Sequence, residues 1–190
     1  MDDQGNLASW LSKIESSHFK SWDLGLDRVT AVGKQLGVLK PAPIVLLVAG
    51  TNGKGSTCEY LSEFGIRNGL KVGKATSPHV FEFNERIQID NEPLADEKII
   101  SAFKLIEERR GAISLTYFEF SALAAMVCFL WERVDVAILE IGLGGRLDAM
   151  NIVEPDLSII TSIAIDHEAW LGSTRNEIGR EKFIEKVWEW

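Results

Sequence analysis

The sequence predicts an α/β protein, a mostly parallel sheet flanked by helices and carrying a phosphate-binding loop of the P-loop kind. Three observations predict it. Residues 135–141 and 157–163 are β-branched, nearly continuous apolar runs, the pattern of parallel strands covered on both faces. These runs alternate with helical patterns, which is how parallel strands are connected. The third is the stretch VAGTNGKGST at residues 48–57, which follows the apolar run PIVLL and opens a helix.

The elements follow in order. Residues 7–17 and 26–36 read as helices, joined by a loop around Ser21, Asp23, Leu24 and Gly25. KPAP at 40–43 breaks the chain before a strand at 44–49. The helix after the Gly-rich loop runs to about Asn68, with Gly69 as a left-handed stop. A short strand at 71–75 leads into Ser77-Pro78-His79, and 86–89 alternates like a strand turned at Asp90–Asn91. Helices are predicted at 95–110 and 118–131, the second carrying an apolar run at 121–131 that is bounded by Glu119 and Glu132 and looks buried.

Composition narrows the function classes. The chain has 190 residues, 46% hydrophobic and 25% charged, and reads as one globular core. A net charge of −8 without a basic stripe argues against nucleic-acid and membrane-surface partners. Cys58 and Cys128 fall in separate helices without metal-ligand spacing, so buried thiols in a reducing cytoplasm are expected. No signal pattern and no apolar run of bilayer length is visible.

In the loop, backbone N–H groups and the positive helix end converge on an anion, and Lys54 adds a point charge for the outer phosphates. Thr51, Asn52, Gly53, Lys54, Gly55 and Ser56 are therefore the candidate ATP-phosphate residues. The loop departs from GxxxxGK[ST]: Val48 replaces its first Gly, and Gly55 stands where a metal-binding hydroxyl would follow the Lys. Metal ligands are then expected elsewhere. In open parallel sheets ligands lie beyond the strand C-termini, and Lys54, Ser77, Glu140 and His167 each follow such an end.

Each of these has an ordinary alternative. Glu140 is placed to hold Mg²⁺, or else merely ends a strand at the surface. Ser77 offers its hydroxyl to that metal, or caps a turn before Pro78. His167 is a ligand for a second ion, or a structural histidine. Arg146, after the turn at 142–145, is suited to phosphate or carboxylate.

VAGTNGKGST, SPHVFEFNERI, TYFEFSALA, LEIGLGGRLDAMN and TSIAIDHEAWLGSTRNEIGREK, from about residue 7 to 182, resemble the ATPase region of a Mur ligase family. That family is the bifunctional dihydrofolate synthase/folylpolyglutamate synthases. The resemblance implies a central ATPase domain and ATP-dependent joining of L-glutamate to dihydropteroate or a folate through an acyl phosphate. It implies two Mg²⁺ ions held by Ser77, Glu140 and His167, with Lys54, Lys182 and His167 as catalytic residues. Lys182 matches a family lysine that can be carbamylated to help position the second metal. Asp23, Leu24, Gly25, Thr116, Tyr117, Phe118 and Glu119 would flank the pterin, with Arg146 counted among the substrate residues. Read alone, Tyr117 or Phe118 suits stacking and Glu119 hydrogen bonding, while Thr116 and Glu119 equally have capping-box spacing.

Family members of full length are expected to be cytoplasmic monomers with a second, C-terminal α/β domain. After Lys182 the family continues Ala-Gly-Ile, whereas residues 183–190 here read FIEKVWEW. The expectation is a partial ATP-binding domain over 1–182, a divergent tail, and no C-terminal glutamate-ligase domain. The sheet would then be incomplete and an apolar strand edge exposed. The alternative reading is a non-catalytic remnant that binds ATP or folate at most.

Overall fold

The structure, a computed structural model, describes residues 5–18, 23–167 and 171–182. Ser21 of the predicted loop and the whole tail 183–190 lie outside the described residues.

Helix α1 (Leu7–Glu15) is opened by the Asn6 side chain, which accepts the Ser9 N–H at 2.9 Å. Helix α2 (Asp27–Leu36) ends on Gly37 in the left-handed conformation, φ 71°. Strand β1 (Ile44–Ala49) feeds the Gly-rich loop, which opens helix α3 (Lys54–Arg67) from Gly53 at φ 87°. Gly69, at φ 77°, ends that turn of chain as predicted.

Strand β2 (Val72–Ala75) is followed by a cis Ser77–Pro78 bond and a 3-10 turn, Phe83–Arg86. Strands β3 (Ile87–Ile89) and β4 (Glu92–Pro93) form a hairpin. Asp90 and Asn91 both take positive φ, 52° and 65°, which two-residue hairpin turns require.

Helices α4 (Asp96–Arg110) and α5 (Tyr117–Glu132) precede strand β5 (Val136–Glu140). A second 3-10 turn (Ala149–Ile152), strand β6 (Leu157–Ile160) and helix α6 (Arg175–Lys182) complete the order.

The sheet runs β4-β3-β2-β5-β1-β6, with β2, β5, β1 and β6 parallel and the β3–β4 hairpin antiparallel. Alternate side chains of the central strands enter two cores. Val45, Leu47, Ala137 and Leu139 face α1, α2, α4 and the deeply buried α5. Val48, Val72, Val136 and Ile138 face α3. No described helix is long and apolar enough to cross a membrane.

One expectation needs correcting. Residues 157–163 do not form a strand covered on both faces. Strand β6 stops at Ile160, pairs only with β1 among the described strands, and leaves Leu157 half exposed. A β-branched run has the same composition in an interior strand and at an edge, so periodicity alone does not tell the two apart.

Candidate nucleotide and substrate site

The Gly-rich loop is strapped to the segment after β6. Thr51 N–H donates to Ser162 O at 2.7 Å, and Ala164 N–H donates to Thr51 Oγ1 at 3.0 Å. Thr161 Oγ1 donates to Asn52 O at 2.9 Å. A Cβ on Gly50 would stand 1.8 Å from Thr161 Oγ1, so only glycine permits this approach. The Thr51 hydroxyl is thereby engaged with Ala164, while Gly53 and Gly55 have no neighbour within 4 Å of an added Cβ, leaving open space beside the loop. Ser56 lies on the exposed first turn of α3.

Lys54 folds back over the loop, its Nζ donating to Gly50 O at 3.1 Å. Lys182, at the end of α6, reaches the same oxygen at 2.9 Å. Burial first, and the Lys54 charge second, lower the Lys182 pKa, with Asp166 opposing. Glu140 ends β5 and accepts the Ser77 N–H at 3.0 Å on Oε2. Burial raises its pKa against the pull of that N–H and of Lys54. Lys54, Ser77, Glu140 and Lys182 thus gather where β1, β2 and β5 end.

His167 stands apart from this contact. It has φ 50°, its side chain is exposed, and its nearest described charged partner is Asp166, Nε2 to Oδ2 3.6 Å. Among the described residues no group of three or more His, Cys, Asp or Glu side chains is close enough to hold a metal ion.

A second concavity brings together Asp23, Leu24, Gly25, Thr116, Phe118 and Glu119 with Leu143, Leu147, Asp148 and Ala149. Thr116 and Glu119 form the capping box their spacing allows: Thr116 N–H donates to Glu119 Oε2 at 2.7 Å, and Glu119 N–H to Thr116 Oγ1 at 3.2 Å. The other Glu119 oxygen accepts from Arg28, which also donates to Asp23 Oδ2 at 2.6 Å. Two of the cleft's carboxylates, Asp23 and Glu119, are therefore held by one guanidinium. Phe118 packs on Gly142, where a Cβ would meet Cζ at 2.6 Å.

Tyr117 and Arg146 do not line this cleft. The Tyr117 ring lies edge-on to Phe83, centroids 6.1 Å apart, beneath the Arg86 guanidinium. Successive helical residues point about 100° apart, and the helix is rotated so that Phe118 and Glu119 turn to the cleft while Tyr117 turns to Phe83 and Arg86. Arg146 is exposed and pairs with Glu181, NH2 to Oε1 3.1 Å. Its backbone N–H donates to Glu181 O at 2.9 Å, which holds the 142–148 loop against α6.

Sequence reasoning missed several residues. Asp148 is fully buried, caps the turn at Ala149–Ile152, and accepts from Leu143 and Met150 N–H at 2.9 and 2.8 Å. Burial pushes its pKa up to about 7 against those bonds. Its position just before a short helical turn was the only local signal. Thr161 and the buried Lys74 had no local signal, because their partners are distant in sequence, and nothing local joined Arg28 to Glu119.

No protein-family model matches the chain. The dihydrofolate synthase/folylpolyglutamate synthase of Escherichia coli is 53% identical over 176 residues, covering 93% of this chain and 42% of that protein. Escherichia coli FolC, solved in complex with DHPP and ADP, superposes with a TM-score of 0.94 at 51% identity, over 96% of this chain and 44% of that one. A bifunctional folylpolyglutamate synthase/dihydrofolate synthase with Mn, AMPPNP and L-glutamate bound gives 0.88 at 50% identity, over 94% and 43%. The chain therefore spans a little over two fifths of the length of these relatives. With this identity across nearly all its residues and the same fold, the chain belongs to the dihydrofolate synthase/folylpolyglutamate synthase family.

Proposed function

We propose that this chain is the nucleotide-holding part of an ATP-dependent ligase that joins L-glutamate to dihydropteroate or to a folate. The observation that carries the reading is the meeting of Lys54, Ser77, Glu140 and Lys182 at adjoining strand ends. In this reading residues 1–182 are one ATP-binding domain, and the tail and any glutamate-ligase domain lie outside it. A cytoplasmic location, and a monomer for full-length members, go with the family.

The chemistry needs a carboxylate to take the γ-phosphoryl group of ATP, releasing ADP and leaving an acyl phosphate. The glutamate amine then attacks that carbonyl, an amide forms, and phosphate leaves. The protein's task is to position the groups and balance charge. Loop N–H groups, with Asn52, Gly53 and Ser56 beside them, cradle the phosphates, and Lys54 turns from Gly50 O to the outer ones. Lys182 enters from α6 to the same spot. Asp23, Leu24, Gly25, Thr116 and Phe118 hold the pterin, Phe118 by stacking; Glu119, tied to Thr116 and Arg28, shapes the wall. Tyr117 and Arg146 act indirectly, by packing and by holding α6.

Ser77 and Glu140 fit a magnesium ion: a hydroxyl and a buried carboxylate are the hard oxygen donors it takes. Few protein ligands suit it as well, since Mg²⁺ keeps waters and phosphate oxygens in its shell. His167 is the nearest candidate for a second ion after β6. Bound there, such ions would neutralise charge on the phosphates.

Calorimetry with AMPPNP and Mg²⁺, and an ADP-release assay with L-glutamate and dihydropteroate or tetrahydrofolate, test this. Release that depends on glutamate supports ligation by these residues. Binding without release confines the chain to nucleotide holding, the reading that fits its share of the relatives' length. No Mg²⁺-dependent binding sinks the proposal.

A further inference from the structure

Helix α3 meets the sheet through a mostly small face, flanked by the partly buried Leu61 and Ile66. Its buried residues are Cys58, Ser62 and Gly65, all small. A Cβ on Gly65 would lie 2.7 Å from Val72 Cγ2, so the helix sits very close to β2. Small side chains allow that approach but interlock little, so apart from the partly buried Leu61 and Ile66 at its flanks this face constrains the rotation and axial position of the helix weakly. The position of α3 matters because its first residue is Lys54 and its N-terminus is the Gly-rich loop.

A polar junction adds a directional constraint. Lys74 lies in the interior strand β2 with its side chain 3% exposed. Its ammonium pairs with Glu59 of α3 and donates to Asn91 Oδ1 at 2.8 Å. Ser62, one turn further along α3, donates to the same Asn91 oxygen at 2.7 Å. Asn91 reaches both because the hairpin turn holds it at φ 65°, and that turn is tied to β2 by Asp90 Oδ1 accepting Val72 N–H at 2.8 Å. A helix, a strand and a hairpin turn thus meet at one charged group.

We infer that Lys74 and Asn91 form a positioning lock, setting the rotation and axial register of α3 and hence where the phosphate loop and Lys54 stand. Burying an ammonium contributes little net stability compared with a well-packed apolar residue. What it does supply is directional bonding, which small apolar contacts lack. Neither residue touches nucleotide; both act through α3. The inference rests on the nucleotide site proposed above.

The test is AMPPNP·Mg²⁺ affinity and thermal unfolding, measured on the same preparations of the 190-residue chain and its variants. In Lys74→Met the Glu59 carboxylate, 58% exposed, remains hydrated, and Ser62 keeps Asn91, so the fold survives. The expected result is a melting temperature close to the parent's with nucleotide affinity about tenfold weaker. Asn91→Gly keeps the left-handed turn while removing the carboxamide, and should weaken binding in the same direction. It carries the test if Lys74→Met does not fold. Unchanged affinity in either folded variant overturns the lock while leaving the nucleotide site standing. Absence of AMPPNP binding by the parent chain overturns both.

Discussion

Lys54 and Lys182, 128 positions apart in sequence, donate to the same carbonyl oxygen, Gly50 O, at 3.1 and 2.9 Å. Two ammonium groups that close repel one another, and burial removes much of the water that would screen them. The arrangement is suited to an anion, which would relieve the repulsion on entering.

Lys54→Ala should weaken ATP binding by about 1.5–3 kcal/mol, the scale of one charged hydrogen-bond partner. Calorimetry with AMPPNP measures it. An unchanged affinity would remove Lys54 from the phosphate site.

Gly50→Ala should be far more disruptive than its size suggests. The new methyl would meet Thr161 Oγ1 at 1.8 Å, on a backbone held at φ 141°. Strain and overpacking together predict a stability loss of about 2–4 kcal/mol. Urea unfolding checks this, and a variant as stable as the parent would mean the strap from 161–164 is not rigid.

Glu140→Ala should abolish the Mg²⁺ dependence of nucleotide binding, and it also leaves the Ser77 N–H without its acceptor, at about 1–3 kcal/mol. Titrating Mg²⁺ into variant and parent at fixed AMPPNP compares them. Equal Mg²⁺ stimulation would exclude Glu140 as a ligand.

Asp148 should make stability depend on pH. Its ordinary pKa of 3.8 is pushed up to about 7 by burial. Between those values the folded protein holds a proton that the unfolded chain has already released. That contribution is whole below about pH 4 and is lost as pH rises through about 7. Melting curves at pH 5 and pH 8 should show a larger fall for the parent than for Asp148→Asn. Equal falls would assign the dependence to other groups.

The sequence by itself determined most of the elements and the phosphate loop, because these depend on short-range physics. Apolar periodicity, the left-handed glycine at 69, and the Asp90–Asn91 turn all act within a few residues of themselves. The capping box of Thr116 and Glu119 was likewise legible from its spacing, as was the placement of Ser77 and Glu140 at strand ends.

Only the tertiary structure decided which face of α5 meets the cleft, giving it Phe118 and turning Tyr117 toward Phe83 and Arg86. It also turned Arg146 to Glu181, placed β6 outermost among the described strands, and joined Lys74 to Asn91 and Arg28 to Glu119. Such pairings depend on how strands order and helices rotate in space. Those choices are made by the whole core at once, and no local pattern encodes the distant partner.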